Sequence, residues 1–210
     1  ASNPDLWTAE ERAWLAAHPL LRLSPHPDYQ PIDFFDEQGQ HRGLTADYLA
    51  LLEQRLGVHF QTVRVDLSNK QLDLDNPAEL GADIKVAITQ TPERLERWLF
   101  TKPYLEIPAY IITRKEANDA LTLQHLEGNR VAVIWHYAAR QYLTTNYPKL
   151  ILDPVLDTRT GLRKVSFGLV DAFIAELPAS TYWMEREGIT NLKIAGETGY
   201  VYRLGIATRK

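Results

Sequence analysis

Apolar residues recur at helical spacing in six stretches of the chain and at strand spacing in the stretches between them. Spacings of three and four residues predict helices over residues 7–17, 45–56, 92–99, 137–146, 158–167 and 178–188. Alternating or β-branched runs predict strands over residues 20–23, 58–65, 83–88, 104–114, 130–135, 150–155, 171–175, 192–195 and 200–208. Residues 24–31 hold three prolines, which predict a loop without regular structure. Strands that alternate with helices predict an α/β fold with open, mostly parallel sheets.

Local signals define the ends of two of these helices. Thr8 is a good N-cap residue and Glu11 follows it three positions later, a pairing typical of a helix start. Gly57 directly follows the second predicted helix, where a glycine ends helices in the left-handed conformation. We therefore expect the first helix to begin after Thr8 and the second to end before Gly57.

The elements fall into two halves that the long predicted strand over residues 104–114 joins. The first half covers residues 1–104 and the second covers residues 115–195, and the closing strand at 200–208 has room to return to the first half. Ligands of open α/β sheets bind beyond the carboxyl ends of the strands. For two such halves, this rule predicts a ligand site between them.

The composition of the 210-residue chain excludes several classes of function. It has no cysteine, which excludes thiol catalysis and cysteine-ligated zinc, and its net charge of −4 comes without a basic stripe, so no nucleic-acid partner is expected. No apolar run reaches the ~20 residues of a membrane span. No histidine pair has metal-site spacing and no phosphate-loop or dinucleotide motif is present, so no metal and no cofactor is expected. Because the chain begins with Ala1, we expect a processed or excised piece.

The run from Thr89 to Arg94 is the clearest local candidate for chemistry. Thr89 ends a predicted strand, Pro92 suits the first position of a helix, and Arg94 falls in its first turn. A hydroxyl, the N–H groups of a helix start and a guanidinium together predict an anion site, most naturally for a carboxylate. The alternative is a capped helix with an exposed Arg94 paired to Glu93 or Glu96.

Aromatic and acidic residues near predicted strand ends are further candidates. Tyr29, Phe34 and Phe35 lie on or beside the first loop, where they are able to wall a pocket, and for Phe34 and Phe35 the alternative is ordinary core. His136 and Tyr137 follow the first strand of the second half. Glu176 ends an apolar strand, where it is placed to take a ligand ammonium or to act as a general acid. Its alternative role is at the start of the following helix.

Two motifs and five longer segments carry a resemblance to a known family. The run from Thr89 to Arg94 is followed by Phe100-Thr101-Lys102-Pro103-Tyr104, and a helix from Leu6 to Pro19 precedes both. With the segments 21–35, 43–57, 83–104, 130–143 and 168–176, the chain resembles the bacterial solute-binding proteins of the polar amino-acid family, which have the type II periplasmic-binding fold. The leading helix resembles more particularly the Venus-flytrap sensor domains of BvgS/EvgS-type hybrid histidine kinases.

The resemblance implies a two-lobed architecture in which each lobe is a mostly parallel sheet flanked by helices. Lobe 1 is expected over residues 1–104 plus 200–210, and lobe 2 over residues 112–196. The hinge strands are expected near residues 105–111 and 199–205. Family members continue past the closing strand with a further helix, so a continuation beyond Lys210 is expected.

The resemblance also implies roles for the candidate residues. Tyr29 matches the pocket aromatic, Thr89 and Arg94 match the residues that hold a ligand carboxylate, and Glu176 falls where receptors place an acid for the ligand amine. His136-Tyr137-Ala138 replaces the glycine and hydroxyl residues of many receptors. A small ligand, or one whose ring stacks on Tyr29 or Tyr137, therefore fits better than an ordinary α-amino acid.

The implied function is ligand sensing in the periplasm by the extracytoplasmic domain of an inner-membrane sensor histidine kinase. A small carboxylate-bearing solute, such as an amino acid, is expected to bind between the lobes and to bias the kinase through adjacent domains. The domain itself is not expected to be an enzyme, and the resemblance leaves room for a homodimer of the full-length protein. Alternatives are a free receptor of an ABC importer, a cyclohexadienyl-dehydratase-like enzyme with Glu176 as acid, and a domain fused to a peptidoglycan lyase.

Overall fold

The chain folds into two compact units. The computed structural model describes residues 7–69 and 71–210. Unit 1 comprises the described residues up to Ile88, with Pro92–Lys102 and Gly205–Lys210, and unit 2 comprises Thr89–Thr91 and Pro103–Leu204. Leu6 of the leading motif and the other residues of the range 1–6 lie outside the described residues.

Unit 1 contains four helices and the first seven strands of the described chain. The helices are α1 (Ala9–Ala17), α2 (Leu44–Leu56), α3 (Pro77–Leu80) and α4 (Pro92–Leu95). The strands are β1 (Leu20–Ser24), β2 (Asp28–Tyr29), β3 (Asp33–Phe35), β4 (His41–Arg42), β5 (His59–Thr62), β6 (Ile84–Thr89, whose last residue belongs to unit 2) and β7 (Trp98–Phe100). Strand β1 pairs in parallel with β5 and β6, as the alternation of strands and helices along the sequence predicts. Strands β2, β3 and β4 form a small antiparallel sheet.

Unit 2 contains three helices and a mixed sheet. The helices are α5 (Ala138–Asn146), α6 (Thr158–Ser166) and α7 (Leu177–Glu187), with a 3-10 turn at Leu123–Leu126. The strands are β8 (Leu105–Arg114), β9 (Arg130–Ile134), β10 (Ile151–Val155), β11 (Ala172–Glu176) and β12 (Leu192–Arg209), in the order β10-β9-β11-β8-β12. Strands β9, β10 and β11 are parallel, and β8 is antiparallel to β11 and β12. The last residues of β12, from Gly205 onward, belong to unit 1.

The predicted ends of α1 and α2 are confirmed. The Thr8 hydroxyl accepts a hydrogen bond from the Glu11 backbone N–H at 3.1 Å, and the Glu11 carboxylate accepts one from the Thr8 N–H at 2.7 Å. Gly57 has a φ of 69° and ends α2 in the left-handed conformation. Both signals depend only on neighbouring residues, so the sequence contains them in full.

Nowhere in residues 7–69 and 71–210 does a helix combine the length and apolar character that spanning a bilayer requires.

Several predicted boundaries are wrong because distant partners determine them. The helix predicted over residues 92–99 ends at Leu95, since Trp98 is fully buried in β7, which pairs with β12. The two strands predicted at 192–195 and 200–208 form the single strand β12, with shifts in register along its pairing with β8. The proline-rich loop also contains a short strand, β2, which pairs with β3.

The core of unit 2 depends on a close contact between α6 and β11. Leu162 and Val165 of α6 are fully buried, as is the ring of Phe173 on β11. Gly161 stands directly over this ring, and a Cβ atom there would lie 2.6 Å from its carbon atoms. Glycine at this helical position therefore allows the helix to reach the sheet.

Replacement of this glycine tests the contact. Gly161→Ala should lower the free energy of unfolding by about 1–3 kcal/mol through overpacking, although alanine favours helices. The additional change Phe173→Leu should recover part of that loss, because a smaller side chain leaves room for the methyl group. Urea unfolding followed by circular dichroism measures both variants. A stabilising Gly161→Ala, or strictly additive losses in the double variant, would contradict the packing.

Candidate functional site

Arg94 is buried in unit 1 and is held by an acidic residue from a different part of the chain. Its exposed fraction is 8%, and its Nε donates a hydrogen bond to Asp75 Oδ1 at 2.9 Å. The alternative of an exposed Arg94 on a surface helix is therefore wrong. Asp75 precedes Arg94 by 19 positions, in the loop between β5 and α3.

Lys85 on β6 is a second cation at the same carboxylate. Its Nζ donates to the Leu74 carbonyl at 2.6 Å and lies 3.4 Å from Asp75 Oδ1. The side chains of Lys85 and Arg94 are 17% and 10% exposed, and that of Asp75 is 36% exposed. We call Asp75, Lys85 and Arg94 the Asp75 cluster.

Burial and neighbouring charges shift the pKa values of the Asp75 cluster. Burial, followed by the nearby Arg94 charge, lowers the pKa of Lys85 to about 8 against the opposing effects of Asp75 and Asp73. Burial acts to raise the pKa of Asp75, but the charges of Arg94 and Lys85 outweigh burial and hold it below its ordinary value. At neutral pH the Asp75 carboxylate is therefore ionised beside two buried cationic side chains. Charged donors of this kind form the strong hydrogen bonds that anion binding needs.

His26 and Tyr29 extend this polar region of unit 1. Burial lowers the pKa of His26 to about 3, and the Lys85 charge contributes to the shift, so His26 is neutral at pH 7. His26 Nδ1 accepts a hydrogen bond from the Asp28 N–H at 3.1 Å. The rings of His26 and Tyr29 meet edge to face with centroids 5.5 Å apart. Two predicted residues, Tyr29 and Arg94, therefore belong to one neighbourhood through His26 and Lys85.

Tyr29 is buried, although it lies in the proline-rich segment that was predicted to be a loop. Its exposed fraction is 3%, so it belongs to the core of unit 1 and not to a loop surface. Phe34 is partly exposed, because Asp33 and Phe35 on either side of it point to the buried face of the small sheet. Phe35 is therefore a core residue, as the alternative predicted, whereas Phe34 is not.

Thr89 ends β6 after an irregular stretch of backbone. It is buried and lies in unit 2, whereas Arg94 lies in unit 1. Ala87 in the same strand has a φ of 49°, in the left-handed region that a residue with a Cβ rarely adopts. After this residue the alternation of burial breaks, and Ile88 and Thr89 are both buried. Strained backbone of this kind is concentrated at functional sites.

The candidate residues of unit 2 lie in a continuous set of aromatic rings. His136 meets Trp135 and Tyr137 at centroid distances of 5.1 and 4.9 Å, and Tyr137 meets Tyr202 at 5.8 Å, all edge to face. Tyr202 in turn meets Tyr200 at 5.1 Å. The rings of His136 and Tyr137, which follow β9, are therefore in contact, and Tyr202 adds a third ring from β12.

Glu176 lies beside this ring set and also caps a helix. It is 2% exposed, and its Oε2 accepts a hydrogen bond from the Ala179 N–H at 2.9 Å at the start of α7. Burial, followed by the neighbouring Tyr200 and Glu176, raises the pKa of Tyr202 well above its usual value. Glu176 is thus close to the Tyr202 phenol. The helix-start role proposed as its alternative is present in the structure.

Sequence reasoning missed Asp75, Lys85, His26 and Tyr202. A usable signal existed for Lys85, because a lysine between Ile84 and Val86 in an otherwise apolar strand points to a buried charge with a partner. Asp75 had no such signal, since it is one of several acids in a polar loop.

In the part of the chain that the structure describes, no three His, Asp or Glu side chains are grouped to hold a metal ion.

The chain is similar to extracytoplasmic sensor and solute-binding proteins. The family described as bacterial extracellular solute-binding proteins, family 3, matches residues 21–187. Virulence sensor protein BvgS of Bordetella pertussis is 26% identical over 189 residues, which are 90% of this chain and 15% of that protein. The chain thus spans a small part of the sensor that it matches.

Solved structures show the same fold. The periplasmic VFT2 domain of Bordetella pertussis BvgS superposes with a TM-score of 0.82 at 24% identity, over 97% of this chain and 86% of that one. The arginine-bound form of truncated ArgBP from T. maritima gives a TM-score of 0.75 at 22% identity, over 94% and 92% of the two chains. The predicted Venus-flytrap, type II periplasmic-binding fold is confirmed.

The neutral state of His26 should appear as a pH dependence of stability. The unfolded histidine takes a proton near pH 6.5 and the folded one near 3, so the unfolded state binds more protons between these values and stability falls as the pH drops. From pH 7 to pH 5 this loss should be about 2 kcal/mol. His26→Asn keeps an acceptor for the Asp28 N–H and should remove that part of the pH dependence.

Urea unfolding at both pH values measures the effect. His125→Asn is the matched control, because His125 is exposed and its Nδ1 likewise accepts a hydrogen bond from a backbone N–H, that of Thr122 at 3.1 Å. It should lose less of the pH dependence than His26→Asn. An unchanged pH dependence in His26→Asn would show that His26 titrates as an ordinary histidine.

Proposed function

This chain belongs to family 3 of the bacterial extracellular solute-binding proteins, and on that basis we propose that it binds a small carboxylate-bearing solute as a sensing domain. The domain works in the periplasm as part of an inner-membrane sensor histidine kinase, and it reports its ligand state to adjacent domains. It performs no catalysis itself. The similarity to a virulence sensor over most of the chain supports the sensing role.

The observation that carries the proposal is the buried Asp75 cluster. Arg94 and Lys85 present a guanidinium and an ammonium to the same Asp75 carboxylate oxygen in unit 1. A guanidinium matches the two oxygens of a carboxylate, and charge-assisted hydrogen bonds are stronger than neutral ones. Two largely buried cationic donors that converge on one oxygen therefore support a site for an anion.

The ring set of unit 2 supports a flat or aromatic group on the ligand. The Tyr137 ring meets the rings of both His136 and Tyr202 edge to face. Aromatic walls with a few polar groups are typical of small-molecule sites. Glu176, buried and close to Tyr202, is the residue that we assign to a ligand ammonium.

A thermal-shift screen tests the carboxylate assignment. The panel contains amino acids, mono- and dicarboxylates and aromatic carboxylates, each added to the purified domain. A ligand at 100 times its Kd adds about 2.7 kcal/mol of stability, which raises the melting temperature by about 5–10 °C at this chain length. Arg94→Lys keeps the charge but loses the planar fork, and it should weaken binding about 10- to 100-fold.

Arg97→Lys is the matched control for Arg94→Lys. Arg97 follows the same short helix and pairs with Asp73 at the surface, where its side chain is 47% exposed. It should therefore leave ligand affinity unchanged. Equal affinity in wild type and Arg94→Lys would remove Arg94 from the site, and a panel without any shift would contradict carboxylate binding itself.

Two substitutions of Glu176 separate its roles as helix cap and as partner of an amine. Glu176→Gln keeps an oxygen for the Ala179 N–H and should change stability by less than about 0.5 kcal/mol, whereas Glu176→Ala should cost about 1–2 kcal/mol. Calorimetric titration should show that Glu176→Gln weakens amino-acid binding and leaves binding of the matching deaminated carboxylate unchanged. Equal losses for both ligands would contradict a contact with the amine.

A further inference from the structure

We propose that Asp75 is a resident occupant of the carboxylate site, and that a ligand carboxylate binds by taking the place of the Asp75 side chain between Arg94 and Lys85. This inference rests on the proposed function and adds a mechanism of regulation to it. The affinity for any ligand then includes the release of an internal competitor. Asp75 consequently sets the concentration at which the domain responds.

The geometry of the Asp75 cluster is that of a filled anion site. A single oxygen, Oδ1 of Asp75, lies 2.9 Å from Arg94 Nε and 3.4 Å from Lys85 Nζ. Two cations that converge on one carboxylate oxygen form the contacts that a ligand carboxylate would make. The protein thus supplies from its own loop the chemical group for which the site is suited.

Exposure distinguishes the occupant from the site. The Asp75 side chain is 36% exposed, whereas Lys85 and Arg94 are 17% and 10% exposed. The carboxylate is therefore the member of the cluster with the most access to solvent. On this proposal, a ligand anion takes its place at the two more deeply buried cations when the Asp75 side chain turns away.

Other hydrogen bonds hold the backbone of Asp75 and the Lys85 ammonium during such an exchange. The Asp75 carbonyl accepts a hydrogen bond from the Trp98 indole at 2.8 Å, and the Asp75 N–H donates to Asp73 Oδ1 at 3.0 Å. The loop backbone is thus fixed, and the side chain alone needs to rotate. Lys85 makes its shorter hydrogen bond, 2.6 Å, to the Leu74 carbonyl, so the ammonium stays in place without the carboxylate.

Chemical rescue by formate tests the inference without knowledge of the natural ligand. Asp75→Ala removes the shared counter-ion of two buried cations and should lower the melting temperature. Sodium formate should restore it with a saturable dependence, and sodium chloride at equal ionic strength should restore less. Wild type, in which Asp75 competes, and Asp75→Ala/Lys85→Met should each need at least tenfold more formate than Asp75→Ala for a formate-specific shift.

Asp83→Ala is the matched control. Asp83 is also shared by two cations of unit 1, Arg22 at 3.0 Å and Arg209 at 3.2 Å, but their side chains are 47% and 59% exposed. Water replaces the carboxylate there, so formate should have no specific effect on Asp83→Ala. If Asp75→Ala is unfolded in chloride, recovery of its far-ultraviolet circular dichroism signal on addition of formate gives the same test. Asp75→Asn is the second variant, because it removes the charge and keeps the size of the side chain.

The outcomes separate this inference from the proposed function. Any carboxylate that binds wild type should bind Asp75→Ala at least tenfold more tightly, because no competitor remains. Weaker binding to Asp75→Ala, or equal effects of formate and chloride on it, would overturn the inference. A ligand panel without hits in wild type, together with formate rescue of Asp75→Ala, would contradict the natural ligand class but leave the resident occupant established.

Discussion

The burial of two cations around one carboxylate is the constraint on which the site in unit 1 depends. Charged groups are rarely buried unless they are paired. Asp75 pairs with both Arg94 and Lys85, and its loop is in turn anchored by the indole of Trp98. The position of β7, which carries Trp98, and the shape of the loop before α3 are thus linked to the electrostatics of the site.

The two units contribute chemistry of different kinds. Unit 1 has buried charge, a neutral histidine and a buried tyrosine in one neighbourhood. Unit 2 has contacting aromatic rings and one buried carboxylate, Glu176, which also begins a helix.

The sequence contained the fold class and many local features but not the partners of the site. The Thr8–Glu11 capping box and the end of α2 at Gly57 follow from neighbouring residues and were predicted correctly. The end of α4 and the continuity of β12 depend on strand pairing between distant segments, which no local pattern shows. Arg94 was identified from its motif, yet its burial could not be, because Asp75 comes from a polar loop without a periodic pattern. The pairing of the rings of Tyr137 and Tyr202 likewise joins segments 65 positions apart, a contact that only the folded chain shows.

Nuclear magnetic resonance of the Arg94 side chain tests the central claim most directly. The Nε–H resonance of Arg94 is observed in the ¹⁵N-labelled domain during a titration with sodium acetate, with sodium chloride as reference. If the Asp75 cluster is a carboxylate site, this resonance moves saturably with acetate while that of Arg97 follows the chloride reference. An Arg94 resonance that is insensitive to acetate, or that moves in parallel with Arg97, would contradict the claim.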